Sequence, residues 1–142
     1  MQGDQNEHLQ ETRLNRARAL AASAGAENCR FIEADAMDLA AILPEPVDYV
    51  FFANTFHGVP DKPALARAVA AILKPKGLFG VVNWHRRPRE ETTVLGQPRG
   101  PRTEIRIEPH GVAVLVQPAG LVLSRIVELP PYHYGANFAT IN

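Results

Sequence analysis

The sequence of 142 residues predicts an α/β protein whose sheet is mostly parallel. Two apolar runs, Tyr49–Ala53 and Leu78–Trp84, do not alternate with polar residues, which is typical of strands covered by helices on both faces. A helical pattern, in which apolar residues recur every three or four positions, lies between the two runs. Because a connection of this length returns the chain to the same end of a sheet, we expect the two strands to run parallel.

The first elements of the chain are predicted to be one helix and one strand. Apolar residues recur at helical spacing from Glu7 to Ala24, and Gly25 is suited to the end of a helix. The segment Cys29–Ala34 is predicted as a strand. Residues 35–39 are predicted as a loop that contains a short helical turn.

The middle of the chain carries the strongest pattern. Val47–Ala53 is predicted as a strand, and Asp61 as the N-cap of a helix that ends at Leu73. The turn Lys74–Gly77 follows, because proline blocks the helix and lysine suits the negative end of its dipole. The second apolar strand begins at Leu78.

The last third changes in composition. His85–Arg102 is rich in arginine and proline and has no periodicity, so we expect a long surface loop. Pro109–Gln117 is predicted as a short helix. Leu121–Leu129 and Tyr134–Thr140 are predicted as the last strands, separated by a turn at Pro130–Pro131.

Composition excludes some classes of protein. Fifteen basic residues balance fifteen acidic ones, so the net charge gives no reason to expect nucleic acid or an anionic membrane as a partner. The amino terminus lacks the apolar core of a signal peptide, and no apolar run approaches the about 20 residues that span a bilayer. Cys29 is the only cysteine, which suits a reducing compartment. We expect a single domain over residues 1–142, located in the cytoplasm.

Three stretches together resemble one known family. Phe31–Ala36 resembles the third strand of class I S-adenosylmethionine-dependent methyltransferases, Asp48–Asn54 resembles the fourth strand, and Leu73–Phe79 resembles the turn into the fifth. The ordered set is similar in particular to the type 11 and type 12 methyltransferases, which are related to the ubiquinone and menaquinone biosynthesis C-methyltransferases. The resemblance implies a Rossmann-like sheet with an antiparallel carboxyl-terminal strand and S-adenosylmethionine as cofactor.

One family motif has no counterpart in the chain. The acidic-glycine loop that follows the family's first strand, and approaches the cofactor so closely that only glycine fits, is absent from the sequence. Gly3–Asp4 resembles the end of the family's second strand. The resemblance therefore implies a partial fold, the carboxyl-terminal portion of a methyltransferase domain without strand one, and with impaired cofactor binding.

The resemblance also assigns roles to individual residues. The cofactor-binding candidates are Asp4, Asp35, Ala36 and Asn54, and the substrate-side candidates are Phe56, His57, Trp84 and His85. Asp4 would pair with the ribose, and Asp35 with Ala36 would bind the adenine; alternatively, Asp35 only caps a turn. His57 is the candidate general base, because the ordinary pKa of histidine lies near 6.5; alternatively, it is a loop histidine without chemistry. The spacing of the histidines matches no known zinc site, so we expect no metal.

These patterns leave more than one function open. The expected activity is methyl transfer to a small molecule. The first alternative is a non-catalytic remnant of the fold that associates with itself, and the second, a general nucleotide-binding protein, is weaker because no phosphate-binding loop is present. Without a first strand, Tyr49–Ala53 would lie at an open sheet edge. Either the third strand moves beside it or two chains pair, and we expect the homodimer.

Overall fold

The computed structural model describes the backbone of residues 2–141 and the side chains of residues 11–141. The chain divides into two compact units, Met1–Asp35 and Ala36–Asn142. The single domain over residues 1–142 stays a prediction.

The first unit is mostly one helix, α1, which spans Gln2–Ser23. Its end at Gly25 is as predicted: Gly25 has a φ of +68°, and its amide donates to Ala22, while the amide of Ala26 donates to Ala21. These two bonds form the Schellman motif. The prediction that Gly3–Asp4 ends a strand is wrong, because α1 already includes both residues. The side chain of Asp4 lies outside the described residues.

The predicted strand Cys29–Ala34 is not formed. Residues 26–35 are irregular, and no strand among the described residues pairs with them. A strand is stable only when its amide and carbonyl groups find a neighbouring ladder, and apolar residues alone do not provide one. Asp35 therefore does not end a parallel strand. The unit also leaves Ile32 exposed by 42%.

The second unit follows the predicted order of elements closely. Its helices and strands are α2 Leu39–Ile42, β1 Val47–Ala53, α3 Lys62–Ile72, β2 Leu73–Trp84, β3 Thr93–Val94, β4 Gln97–Pro98, α4 Pro109–Val116, β5 Leu121–Leu129 and β6 His133–Thr140. A 3-10 turn at Ala36–Asp38 precedes α2. The amide of Ala64 donates to the Asp61 carboxylate at 3.0 Å, which confirms Asp61 as the N-cap of α3.

Four strands form the main sheet, in the order β1-β2-β6-β5. β1 and β2 pair parallel, and β6 pairs antiparallel with both β2 and β5. Three strands therefore share one direction and the carboxyl-terminal strand opposes them, as predicted. The register between β1 and β2 shifts from Val47↔Leu73 to Tyr49↔Leu78, so the predicted turn Lys74–Gly77 protrudes as a bulge of β2.

The core lies on one face of this sheet. It is built from α3, α4 and the inward residues of the strands, and consists of Phe56, Leu65, Ala66, Val69, Leu73, Phe79, Val81, Val112, Val116, Leu121, Tyr134, Ala136 and Phe138. The opposite face is open: Tyr49 is exposed by 46% and Phe51 by 57%. The expectation that both faces of β1 are covered is thus wrong, because α3 and α4 pack on the same side.

Candidate functional site

Because β1 and β2 pair in parallel, their carboxyl ends lie next to each other at the same end of the sheet. This place is called the shared edge of β1 and β2. The amide of Asn54, directly after β1, donates to the carbonyl of Val82 at 2.7 Å. Asn54 has a φ of +58°, a conformation that asparagine tolerates better than most residues, and its side chain is exposed. Ligands bind at this edge in open α/β sheets.

His57 lies on a short turn anchored in the core. The 3-10 turn Phe56–Gly58 begins with a fully buried phenylalanine, whose ring centroid is 6.3 Å from that of Phe79. The Nδ1 atom of His57 is buried and has no hydrogen-bond partner among the described residues. Burial lowers the pKa of His57, and the positive charges of Lys62 and Arg106 lower it further. The imidazole is therefore neutral near pH 7.

His85, directly after β2, is held between two carboxylates. Its Nδ1 lies 2.8 Å from Glu108 and its Nε2 lies 2.7 Å from Glu128. Burial opposes the charged ring, but the hydrogen bonds and charges of the two glutamates outweigh it, so the pKa of His85 is raised. Glu108 also accepts the amide of Arg86 at 2.5 Å. The imidazolium thus links the end of β2 to the start of α4 and to β5. This is a structural role.

Trp84, the last residue of β2, is packed among other rings. Its ring centroid is 4.2 Å from His133 and 5.8 Å from Tyr132, and it is nearly parallel to the tyrosine. The guanidinium carbon of Arg106 lies 5.1 Å from the Trp84 ring, a cation–π contact. Arg87 lies 5.7 Å from the ring of Tyr132. These contacts form an aromatic wall, Trp84 with Tyr132 and His133, beside His85.

Residues 86–106, which include most of the predicted surface loop His85–Arg102, are organised around Arg106. The segment contains the hairpin of β3 and β4 and two 3-10 turns. The Arg106 guanidinium donates to the carbonyls of Pro101 at 2.9 Å, Arg87 at 3.1 Å and Arg99 at 3.0 Å, and to the hydroxyl of Thr92 at 3.1 Å. Loops of this length are usually functional or mobile, but no pattern in the sequence identifies Arg106.

A hydrogen-bonded group of polar side chains lies on the core side of the same edge. The Nδ2 atom of buried Asn83 donates to the Tyr134 hydroxyl at 3.4 Å, and that hydroxyl donates to the carbonyl of Ile107. The Oδ1 atom of Asn83 has no partner among the residues that the structure describes. Burial raises the pKa of Tyr134 to about 12, so the phenol stays protonated and donates rather than exchanging protons.

The structure brings part of the predicted site together. Asn54, Phe56, His57, Trp84 and His85 lie at the shared edge of β1 and β2. Asp35 closes the first unit and is exposed, whereas Ala36 opens the second unit as the first residue of a 3-10 turn. The residues that sequence reasoning missed are Asn83, Arg106, Glu108 and Glu128.

The described residues contain no group of three histidine, cysteine or acidic residues placed to hold a metal ion. None of their helices is long and apolar enough to cross a membrane.

Comparison with known proteins identifies the fold and the family. A family model described as a methyltransferase domain matches residues 9–95, more than half of the chain. No curated protein matches the sequence. A SAM-dependent methyltransferase from Aquifex aeolicus is 21% identical with a TM-score of 0.72, covering 90% of this chain and 63% of that one. A putative type 11 methyltransferase from Sulfolobus solfataricus is 22% identical with a TM-score of 0.64, covering 87% and 66%.

A third similar structure is the CcbJ methyltransferase from Streptomyces caelestis. It is 14% identical with a TM-score of 0.68, covering 89% of this chain and 75% of that one. The chain spans slightly less than two thirds of the length of the first two structures. At these identities the structural similarity concerns the fold.

Proposed function

Because the chain belongs to the methyltransferase-domain family, for which S-adenosylmethionine is the expected cofactor, we propose that it derives from an enzyme that transfers a methyl group to a small molecule. The observation that carries this proposal is the shared edge of β1 and β2. There the parallel pairing gathers Asn54, His57 and the aromatic wall beside His85. Methyl transfer is an in-line displacement, so its rate depends mainly on alignment of the two reactants at such an edge.

We propose that this chain meets only the adenine half of S-adenosylmethionine. When bound, this cofactor supplies a methyl group activated by a sulfonium. The family resemblance implies the carboxylate of Asp35 as a hydrogen-bond acceptor and the amide of Ala36 as a donor toward the adenine. A glycine loop for the methionine half is absent from the 142 residues. The proposed binding is therefore incomplete.

His57 is the proposed general base for acceptors that must lose a proton. Its imidazole is neutral, and a neutral imidazole accepts a proton where an imidazolium cannot. Its Nδ1 is buried and has no partner among residues 11–141, so the proposed proton acceptor is the other ring nitrogen, Nε2. Its place on a turn anchored by Phe56 restricts its motion.

A binding experiment tests the incomplete cofactor site. Each hydrogen bond to a charged group of the cofactor is worth about 1.5–3 kcal/mol, so loss of two or more weakens binding by orders of magnitude. We expect isothermal titration of the chain with S-adenosylmethionine to detect weak binding or none. A micromolar dissociation constant would contradict this expectation.

Restoring the missing motif tests the function itself. We would fuse the chain behind a strand, acidic-glycine loop and helix from a family member. We expect the fusion to bind S-adenosylmethionine, Asp35→Ala to weaken binding by about 1–3 kcal/mol, and Asp38→Ala, an exposed acid of the next turn, to leave it unchanged. Equal affinities for both variants would show that Asp35 caps a turn. If the fusion binds but transfers no methyl group to any acceptor, the enzymatic proposal fails.

The fusion also tests His57. We expect His57→Gln to lower kcat about 100-fold or more with little change in cofactor affinity, because general-base catalysis typically contributes about 10²–10⁴. The control is His110→Gln on α4, an exposed histidine. Unchanged kcat in the His57 variant would leave this residue as a loop histidine.

Self-association is the second candidate function, and one observation favours it. β1 pairs only with β2, so its other edge is unpaired within the described sheet, and Tyr49 and Phe51 stand exposed beside it. The internal solution, pairing of residues 29–34 with β1, is not formed. An open, aromatic edge favours pairing with another chain.

We propose an antiparallel register for this homodimer. Antiparallel pairing of two copies of β1 about a two-fold axis at Val50 sets Tyr49 opposite the partner's Phe51, and cross-strand aromatic pairs stabilise such ladders. We expect light scattering at micromolar concentration to give a dimer, and Phe51→Lys to give a monomer. The control is Val122→Lys on the opposite edge strand, where the valine is exposed by 46%. A wild-type monomer, or an unchanged dimer with Phe51→Lys, would refute this register.

A further inference from the structure

The segment that follows β2 carries an excess of positive charge in a chain whose net charge is zero. Residues 86–106 contain six arginines and three glutamates, so the segment has a net charge of +3. The ion pairs formed among residues 11–141 are those of His85 with two glutamates and of Lys74 with Asp48. None of them includes an arginine. The positive charge beside the shared edge is therefore not neutralised by ion pairs within the described part of the chain.

The six arginines fall into two groups. The guanidinium groups of Arg89 and Arg106 donate to main-chain carbonyls and, in Arg106, to one hydroxyl as well. The other four are exposed, and their guanidinium groups donate to no acceptor among the described residues: Arg86, Arg87, Arg99 and Arg102. These four charges are available to an anion from solution.

Arg87 differs from the other exposed arginines because its main chain is fixed and its guanidinium lies on the aromatic wall. Its amide donates to the carbonyl of His85 at 2.8 Å, and its carbonyl accepts from the Arg106 guanidinium at 3.1 Å. Its guanidinium carbon lies 5.7 Å from the ring centroid of Tyr132. The Tyr132 ring is stacked on Trp84 at 5.8 Å, and both rings are only partly buried. A positive charge and a flat apolar surface thus lie together at the end of β2.

We propose that Arg87 is a specificity-determining residue of the proposed methyl-transfer site, and that the methyl acceptor is a planar aromatic molecule with an anionic oxygen group, a carboxylate or a phosphate. A guanidinium presents its N–H donors in a planar fork that matches such oxyanions. The rings of the aromatic wall offer a surface on which an aromatic molecule stacks. This inference rests on the proposed function, which it narrows from a small molecule to an aromatic anion.

The alternative is that Arg87 is an ordinary solvated side chain. The three glutamates of the segment would then balance the arginines, but none of them forms an ion pair with an arginine in the described residues. An exposed arginine gains little from an anion, because its long side chain must first be ordered. The two main-chain bonds and the ring contact already restrict Arg87, so binding an anion costs it less conformational entropy than it costs Arg99 or Arg102.

Nuclear magnetic resonance titration tests this inference on the chain as it stands, without cofactor. Trp84 is the only tryptophan, so its indole N–H gives a single resonance that reports on the aromatic wall. The probes are benzoate, phenyl phosphate and benzamide, the neutral counterpart of benzoate. We expect both anions to shift the Trp84 resonance with millimolar dissociation constants, and benzamide to bind about 10-fold more weakly or not at all, because it lacks the charge-assisted hydrogen bond. The anion that binds more tightly identifies the oxygen group.

Substitutions separate a positioned arginine from a general attraction of anions. We expect Arg87→Gln to weaken binding of both anions about 10-fold and to leave benzamide unchanged. Arg87→Lys keeps the charge but loses the fork, so its affinities should lie between those of the wild type and Arg87→Gln. The control is Arg67→Gln on α3, an exposed arginine whose loss should leave the affinity for all three probes unchanged.

Equal affinities for benzoate and benzamide would overturn the proposal, as would the absence of binding by either anion or equal losses in the Arg87 and Arg67 variants. If Arg87→Gln does not fold, the comparison of benzoate with benzamide on the wild-type chain decides. A fusion protein that transfers no methyl group would leave these titrations unaffected. A fusion that methylates neutral acceptors as readily as anionic ones would contradict this inference alone, so the two proposals fail separately.

Discussion

Two segments have structures opposite to those predicted from their sequences: residues 26–35 and residues 86–106. The first segment contains the predicted strand Cys29–Ala34, yet it is irregular and mostly exposed. The second is polar and without periodicity, yet it contains a hairpin, two 3-10 turns and a buried arginine that bonds four of its own residues. Order in a segment follows from the partners available to its backbone groups more than from its composition.

The functional candidates near these two segments differ in the same way. His85 and Trp84 lie next to the ordered segment and are held by several contacts each. Asp35 ends the irregular segment, which lacks a sheet partner. The substrate-side candidates Trp84 and His85 therefore end or follow a paired strand, whereas Asp35 does not.

The largest expected effect compares Gly100, in the second segment, with Gly25, which directly precedes the first segment. Gly100 has a φ of +88° and Gly25 a φ of +68°, but only Gly100 has Trp84 within reach of an added Cβ. Alanine costs about 1–2 kcal/mol at either position through its left-handed conformation, and overpacking adds about 1–3 kcal/mol at Gly100. We expect Gly100→Ala to lower the free energy of unfolding more than Gly25→Ala in urea titrations. Equal losses would show that Trp84 and Arg106 can shift to accept a methyl group at position 100 with little cost in free energy.

A smaller effect concerns the pH dependence of the ordered region. The pKa of His85 is raised in the folded chain, so its ion pairs with Glu108 and Glu128 stabilise the fold fully below the unfolded value of about 6.5 and are lost as the pH rises through the folded value. We expect His85→Gln to cost about 1 kcal/mol at pH 5.5 and less at pH 8.5.

His110→Gln provides the matched control for this measurement, since His110 lies exposed on α4. We expect the free energy of unfolding of the control to follow that of the wild type at both pH values. A cost of His85→Gln that grows with pH would show that the ring is neutral in the folded chain and that the two glutamates do not hold a charge.

The smallest effect belongs to the irregular segment. Ile32 is exposed by 42%, and substitutions at such surface positions usually change the free energy of unfolding by less than about 0.5 kcal/mol. We expect Ile32→Ser to fall in this range and amide exchange from 26 to 35 to be fast. A loss above about 1 kcal/mol would indicate that the segment packs as a strand would, and the contrast between the two regions would fail.

Local patterns predicted the elements of the second unit well. The N-cap at Asp61, the stripe on α3 and the apolar runs of β1 and β2 are each encoded within a few neighbouring residues, and the structure confirms them. The same holds for the turn at Gly25. The family was predicted from three ordered stretches, Phe31–Ala36, Asp48–Asn54 and Leu73–Phe79, and the comparisons confirm it.

Long-range pairing decided the rest. Cys29–Ala34 becomes a strand only if a neighbouring strand pairs with it. Tyr49 is covered only if a helix packs on its side of the sheet. Neither condition can be predicted from the local sequence. Arg106 lies 22 residues beyond Trp84 in the sequence, so their contact arises only when the segment between them folds back. The sequence determined the elements because helix and strand patterns are local. Only the tertiary structure decided which histidine is clamped between carboxylates and which stays neutral, because burial and charge at a ring depend on residues far apart in the chain.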